Sequence, residues 1–181
     1  MTRSFRRSAA LALVIVFAAC SGSTTAAPPS PASTQSVSGC TAPEAAQFDF
    51  WVGSWRGRWA DAQGAAFATD VVVRNGCEID ESFEAPRFLQ HDNYSATSKS
   101  QWDPSLGKWV QDYSDSVGER SRWLGGFASG AMTLIGPQVG SRQQRIVWHD
   151  IESGGWTWDY DSSTDGSTWS AVVVIRYQRT Q

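Results

Sequence analysis

The chain has 181 residues, a formal net charge of −3 and 10 tryptophans. This length corresponds to about one domain with a sizeable core. Because the chain is acidic and has no stripe of Lys and Arg interleaved with aromatic residues, we exclude nucleic acid as a partner. It also contains no Gly-x-Ser-x-Gly elbow and no phosphate-binding loop, so catalysis by those devices is not expected.

Residues 1–19 have the layout of a secretory signal peptide. Arg3, Arg6 and Arg7 precede an apolar run over residues 9–19, which is too short to span a bilayer. An apolar run of this kind behind basic residues is typical of a signal that is removed from the mature protein. Its removal takes away three of the 15 basic residues and none of the 18 acidic ones, which leaves 12 against 18 and a net charge of −6.

The expected cleavage region ends at Cys20 and resembles the lipobox of bacterial lipoproteins. In that motif the cysteine becomes lipidated and N-terminal, although Phe17 stands here where Leu is usual. The resemblance implies an exported protein anchored to a membrane through its lipid, facing the periplasm or lying on the cell surface. An ordinary signal peptide cut near Ala19 or Ala27 is the alternative.

Residues 20–47 are expected to hold the lipidated cysteine and a flexible tether, and residues 48–181 the folded domain. Residues 21–39 are mostly Ser, Thr, Ala, Pro and Gly without charge or aromatic groups, so they cannot bury enough surface to offset their ordering entropy. The short acidic piece 41–46 is expected to form one helical turn across the end of the domain, with Thr41 as its N-cap.

Two cysteines, Cys40 and Cys77, remain in the mature domain, in a compartment where disulfides persist. We expect a bridge between them, and the alternative is a pair of reduced thiols. The bridge would close a loop of about 37 residues and contribute about 3–4 kcal/mol on the chain-entropy estimate.

The stretch FDFWVGSWRGRW, residues 48–59, is expected to form the first strand and the plug of a β domain. Trp55, Gly57 and Trp59 alternate with polar residues, which is the period-two pattern of a half-buried strand. The aromatic face should therefore point inward.

The rest of the chain predicts an all-β domain, an antiparallel up-and-down β-barrel of about ten strands. Short turns rich in Gly, Asp and Asn separate the strand patterns, which favours hairpins between neighbours. We favour closure into one barrel over two packed sheets, because closure removes exposed strand edges. The predicted strands are 54–60, 65–74, 77–84, 93–102, 108–115, 120–127, 130–136, 142–150, 155–162 and 168–178.

Four motifs carry a resemblance to a known family. The segments FDFWVGSW, NGCEIDESF, WDPSLGKWVQDYSDS and DGSTW resemble an uncharacterised family of exported bacterial proteins with a calycin-like β-barrel. The resemblance covers residues 48–179. The triplet Gly53-Ser54-Trp55 is also similar to the Gly-x-Trp motif of lipocalins and fatty-acid-binding proteins. The family has no agreed reaction, so the resemblance implies a fold and a compartment rather than an activity.

In lipocalin-like relatives the Trp of this motif closes the bottom of the barrel and an Arg of the last strand packs on it. The resemblance therefore implies that Trp51, Gly53 and Trp55 close the barrel, with Arg176 or Arg179 in cation–π contact. Some related barrels bind haem through a histidine, so haem held by His149 is one alternative to the absence of a cofactor.

A set of aromatic residues falls into strand phases that face one interior. In the purely structural interpretation these residues form a packed core. In the functional interpretation they line a pocket, and their indole N–H groups donate hydrogen bonds to a ligand or to water. Arg122 is the expected exception, an inward cation that could hold an anionic head group. The predicted ligand-binding set is Trp102, Trp109, Tyr113, Arg122, Trp148, Trp158 and Tyr160.

The titratable residues suggest no catalytic or metal site. His91, in a predicted loop, and His149, in a strand, are each followed by Asp, but adjacent strand residues face opposite ways and do not form an oriented pair. Metal ligation needs three or four convergent ligands, and none is expected. Acids such as Asp112 and Asp115 are assigned to the wet outer face.

We therefore expect non-catalytic binding of a small apolar or amphipathic ligand inside the barrel. The alternatives are a cyclase- or isomerase-type enzyme acting on an apolar substrate, and an envelope interaction module with a filled barrel. An aromatic-lined void would favour binding and a dry interior the module. A carboxylate or His with a shifted pKa inside the void would favour an enzyme.

Overall fold

The structure, a computed structural model, describes residues 40–180. The predictions for the signal peptide, Cys20 and most of the tether lie outside these residues. Two short 3-10 helices, Pro43–Ala46 and Asp49–Trp51, precede the sheet. The strands that follow are β1 Gly53–Asp61, β2 Gly64–Asn75, β3 Glu78–Phe88, β4 His91–Asp103, β5 Lys108–Asp115, β6 Arg120–Ala128, β7 Ala131–Ile135, β8 Gln143–Glu152, β9 Gly155–Ser163 and β10 Ser170–Arg179.

The ten strands form a closed, all-antiparallel, up-and-down barrel. Each strand pairs with the next one along the chain, and β1 pairs with β10, where Trp55 lies opposite Arg179. The predicted fold class is therefore confirmed. The alternation predicted for β1 is also present, since Trp55, Gly57 and Trp59 are buried while the residues between them are exposed. Among residues 40–180 no helix is long and apolar enough to span a bilayer.

The hairpin between β3 and β4 differs from the prediction. A loop was expected between residues 84 and 93, but β3 continues to Phe88 and β4 begins at His91. Leu89 and Gln90 make a two-residue turn with φ angles of 45° and 69°, the left-handed conformation that tight hairpins need. Neither residue is a usual signal for such a turn, and Pro86 in the strand argued against pairing. His91 therefore belongs to a strand.

The segment before β1 closes one end of the barrel, which we call the base. Phe48 is fully buried there, with its ring centroid 4.8 Å from that of Trp109 and 5.1 Å from that of Trp148. The helical turn begins after Ala42, which makes no side-chain cap, so Thr41 as N-cap is wrong. The disulfide Cys40–Cys77 ties the start of this segment to the turn between β2 and β3.

Trp55 is the centre of the base. Its indole Nε1 donates to the carbonyl oxygen of Trp51 (2.7 Å), and the guanidinium of Arg179 lies 4.3 Å from its ring centroid. Gly53 leaves room for this arrangement, because a Cβ at that position would clash with the Arg179 guanidinium. Of the two arginines proposed for closure, Arg179 stacks on Trp55, and Arg176 is exposed on the outer face.

Candidate functional site

A cavity of about 300 Å³ lies inside the barrel at the end opposite the base. Leu89, Glu119 and Val139, from the β3–β4 turn, the β5–β6 turn and the β7–β8 loop, stand at its mouth. A smaller space of about 50 Å³ shares several of its walls and reaches deeper toward Trp156 and Tyr177. The walls are largely aromatic, formed by Tyr94, Tyr113, Trp123, Trp148, Trp158 and Tyr160.

Four residues of the predicted ligand-binding set lie on this wall, Tyr113, Trp148, Trp158 and Tyr160. Alternation along β5, β8 and β9 brings them together, since each occupies an inward position of its strand. Their role in ligand binding stays a prediction. Their placement follows from the strand register alone.

Two predicted members of the set lie at the base instead. Trp109 is fully buried in the plug, where its Nε1 donates to Oε1 of Gln47 (3.2 Å). Trp102 is half-buried beside it, with ring centroids 6.4 Å apart. Both residues flank the β4–β5 turn, which is at the closed end of the barrel, so neither reaches the cavity.

The inward orientation predicted for Arg122 is wrong. In β6, Ser121 and Trp123 line the cavity, so the residue between them points outward. Arg122 pairs there with Asp112 through two hydrogen bonds of 2.6 and 2.7 Å. An anionic head group inside the barrel therefore has no arginine partner at this position.

The most important cavity residue missed from the sequence is Glu81. It projects inward from β3, lines both parts of the cavity and accepts a hydrogen bond from the hydroxyl of Ser98. Burial raises the pKa of Glu81 to about 7, with the Ser98 hydrogen bond acting in the opposite direction. The signal was present in the sequence, because Glu81 shares its strand phase with Ile79 and Phe83.

A second buried carboxyl group, Asp70, lies nearer the base. It is fully buried on β2, and its Oδ2 accepts from Trp51 Nε1 (3.4 Å), while its Oδ1 has no hydrogen-bond partner within residues 40–180. Burial, followed by the charge of Glu81, raises the pKa of Asp70 well above its ordinary value. In the folded protein the carboxyl group of Asp70 therefore binds its proton more tightly than a solvent-exposed aspartate does.

Two tyrosines and an aspartate form a hydrogen-bonded group at the mouth. The Tyr94 hydroxyl donates to Asp115 Oδ2 (2.8 Å), and the single proton of the Tyr113 hydroxyl is within reach of two acceptors, the Tyr94 oxygen and the same Asp115 oxygen (3.3 Å). Asp115 Oδ1 accepts from the backbone N–H groups of Val117 and Glu119. Burial is the main cause that raises the pKa of both tyrosines. The assignment of Asp115 to the wet outer face is therefore wrong, whereas Asp112 does lie there.

One donor on the cavity wall is unused. Trp148 is 2% exposed, and its indole Nε1 has no hydrogen-bond partner among the described residues. A buried N–H without a partner costs free energy, which an acceptor atom on a ligand or a water would recover. The Trp148 ring also packs against the plug, with its centroid 5.1 Å from that of Phe48 and 5.3 Å from that of Trp51, so this residue joins the cavity wall to the base.

Neither histidine is among the residues that line the cavity, although the ring of His91 lies 6.4 Å from that of Tyr94 on its wall. His149 is on the outer face of β8, because its neighbour Trp148 points inward, so it cannot reach haem placed in the cavity. Its Nδ1 is 3.0 Å from Asp150 Oδ2. That contact was not expected between adjacent strand residues, and it arises where the β8–β9 register shifts and Asp150 takes a φ of 50°. Within residues 40–180 no group of three or more His, Cys, Asp or Glu is placed to hold a metal.

No protein-family model matches this sequence, and no curated protein matches it. Among solved structures, the chain is similar to the crystal structure of Rv2717c from M. tuberculosis. The match has 13% sequence identity, covers 77% of this chain and 99% of that chain, and has a TM-score of 0.54. At this identity the likeness shows a shared fold and says nothing about ligand or reaction.

Proposed function

We propose that the protein is a non-catalytic binding protein that holds a small, mostly apolar or amphipathic ligand inside its barrel. The observation that carries this proposal is the cavity of about 300 Å³ with aromatic walls and a mouth opposite the plugged base. Ligand sites are typically concave, mostly apolar and supplied with a few polar groups, and this volume is at the small end of their range.

The same cavity argues against the filled-barrel module. A barrel that served only as an interaction surface would gain from packing its interior, because voids cost stability. Here Phe48 and Trp55 are fully buried in the plug at the base, while the other half of the barrel keeps open space. The contrast between the two halves supports a binding role for the open one.

The proposal includes a calycin-like barrel on an exported lipoprotein anchored at Cys20. Gly53, Trp55 and Arg179 form together the closure that the lipocalin-like resemblance implies, which supports the calycin-like assignment. The disulfide Cys40–Cys77 supports an oxidising compartment outside the cytoplasm, where such bridges persist. The cavity is then presented to the periplasm or at the cell surface.

One observation favours a second candidate, an enzyme of the cyclase or isomerase type. Glu81 lines the cavity with a pKa of about 7, which suits a general acid or base near neutral pH. Asp70 and two tyrosines lie near it, but the hydrogen-bond partner of Glu81 in the described structure is Ser98 and none of these titratable groups, so we rank catalysis below binding. Conversion of a bound apolar substrate that is lost in Glu81→Gln would favour the enzyme.

The test of binding uses a neutral apolar fluorophore, N-phenyl-1-naphthylamine, titrated into the purified domain. We expect saturable fluorescence enhancement, because the dye leaves water for an apolar cavity. Ile146→Trp should abolish it, since Ile146 points inward from β8 and the larger side chain fills the cavity. Val147→Trp is the matched control, because the neighbouring residue points outward and should leave dye binding within about twofold of the wild type.

Absence of dye binding to the wild type would overturn the proposal and favour the filled-barrel module. Equal loss in Ile146→Trp and Val147→Trp would also count against it, because the dye would then be sensing general destabilisation. Melting temperatures of both variants, measured in parallel, separate cavity blockage from unfolding.

A further inference from the structure

We infer that the cavity selects a cation, a protonated or quaternary amine carried on a small apolar body. This inference rests on the proposed function, because it names the chemical class of the ligand that the barrel binds. The sequence predicted instead an anionic head group held by Arg122. That prediction does not hold, because the Arg122 side chain points outward and pairs with Asp112.

The first step is the sign of the charge. Glu81, Asp115 and Glu119 line the cavity from its floor to its mouth, and within the described part of the chain none of its lining residues is Lys, Arg or His. On the outer face Arg122 pairs with Asp112 and Arg145 with Asp161, and Arg120, at the start of β6, is exposed and is not among the residues that line the cavity. A cleft lined by charges of one sign, with apolar walls, concentrates its field on a ligand of the opposite sign.

The second step is the nature of the walls. The indoles of Trp148 and Trp158 and the phenol rings of Tyr113 and Tyr160 surround the space, with Trp158 and Tyr160 roughly parallel at 6.3 Å between centroids. Aromatic faces attract ammonium groups through their quadrupoles, most strongly when water is excluded. An aromatic enclosure that also contains a carboxylate is suited to an amine, because it replaces the hydration shell of the cation with ring faces and one counter-charge.

The third step is the position of Glu81. Its neighbours inside the barrel are titratable groups that carry no positive charge, namely Asp70 from β2, Tyr94 from β4, Tyr113 from β5 and Tyr177 from β10, together with Ser98 from β4. The charge of Glu81 contributes to the raised pKa of each of the three tyrosines, after burial. The carboxylate therefore lacks a cationic partner in the described structure, and an ammonium group would supply one.

The experiment compares three probes of similar size and different charge, phenyltrimethylammonium, its neutral isostere tert-butylbenzene, and benzenesulfonate. Each is titrated into the domain and followed by tryptophan emission, to which Trp148 and Trp158 on the cavity wall contribute. We expect the cation to bind at least about tenfold more tightly than the neutral isostere, and the anion not to bind.

Glu81→Gln should weaken binding of the cation by about tenfold or more, because it removes the negative charge and keeps the shape of the side chain. The affinity for the neutral isostere should stay within about twofold of the wild-type value. Glu84→Gln is the matched control, since Glu84 is exposed on the outer face of the same strand. Affinity for the cation should rise between about pH 6 and pH 8 in the wild type, as Glu81 ionises near pH 7, and the rise should vanish in Glu81→Gln.

Equal binding of the cation and the neutral isostere, tighter binding of the anion, or unchanged cation affinity in Glu81→Gln would overturn the cationic ligand and leave the binding proposal standing. Failure of phenyltrimethylammonium to bind overturns it as well. The naphthylamine titration decides the binding proposal separately, because that dye is neutral and does not depend on Glu81.

Discussion

Two carboxyl groups, those of Asp70 and Glu81, lie inside the barrel among apolar and aromatic side chains. Burial there destabilises the charged form of each and raises its pKa. Asp70 shares its strand face with Ala68 and Val72, and all three are buried. Its partner Trp51 satisfies one oxygen and leaves the other without a partner in the described structure. Ionisation of such a group in an apolar site is costly, so the folded state binds its proton more tightly than the unfolded state does.

Asp70→Asn should therefore stabilise the protein at neutral pH. A raised pKa in the folded state means that the contribution of Asp70 to stability is complete below about pH 4 and is lost as the pH rises through its folded-state pKa. The amide keeps an acceptor for Trp51 and cannot ionise, so we expect a gain of about 1 kcal/mol or more at pH 8 and a smaller effect at pH 4. Urea unfolding at both pH values measures this.

Asp112→Asn is the control for this effect. Arg122 lowers the pKa of Asp112 on the outer face, so that substitution should act with the opposite sign, with any loss of stability found above about pH 4. A loss of stability in Asp70→Asn that is larger at pH 8 than at pH 4 would contradict the expectation, because it would show that Asp70 acts as a favourable charge. The stability of Asp70→Asn should still depend on pH, because Glu81 has a pKa of about 7, between the two pH values of the measurement.

At the scale of elements, the segment before β1 has no strand periodicity and is held by contacts that come from several strands. Arg74 of β2 donates to the carbonyl oxygen of Ala45 (3.2 Å) and pairs with Asp49, and Gln47 accepts from Trp109 of β5. The disulfide Cys40–Cys77 fixes the beginning of the segment. These contacts join residues that are far apart in the chain, so forming them costs loop-closure entropy. The disulfide-closed loop lowers that cost, because it already holds the two parts of the chain together in the unfolded state.

Cys40→Ser combined with Cys77→Ser should destabilise the domain by about 3–4 kcal/mol, the chain-entropy estimate for a closed loop of this length. We expect a lower melting temperature and earlier loss of the signal from the buried tryptophans of the base, Trp55 and Trp109. Reduction of the wild type should reproduce the change, and reduction of the double variant should add nothing. Equal stability of the oxidised and reduced wild type would contradict the expectation.

The strands were predictable because period-two burial acts locally, as in β1, where Trp55, Gly57 and Trp59 are buried. The β3–β4 hairpin was not, since the left-handed conformations of Leu89 and Gln90 are imposed by pairing of the flanking strands. Four of the aromatic residues of the cavity wall were also predictable from strand phase. The boundary between this wall and the plug was not predictable. Strand phase alone does not tell which end of β5, the one with Trp109 or the one with Tyr113, lies at the base.

At the scale of the whole molecule, the barrel is asymmetric along its axis. One end is sealed by Phe48, Trp51 and Trp55, and the chain reaches this end from the N-terminal side through Cys40. The mouth, with Leu89, Glu119 and Val139, is at the other end. Of the described residues, Cys40 and the segment that follows it therefore lie at the sealed end and not at the mouth.

Anchoring is the prediction at this scale. Residues 17–20 resemble a lipobox, which implies two ester-linked chains and one amide-linked chain on Cys20, and more than one acyl chain suffices for stable membrane attachment. Cys20→Ala should therefore move the mature protein from the membrane fraction to the soluble fraction of its cells. The double variant of Cys40 and Cys77 should remain in the membrane fraction, which separates lipidation from loss of a thiol. Mass spectrometry of the N-terminal peptide should find the lipid on wild-type Cys20. A Cys20→Ala protein that is processed at its N-terminus and still sediments with membranes would contradict the anchor.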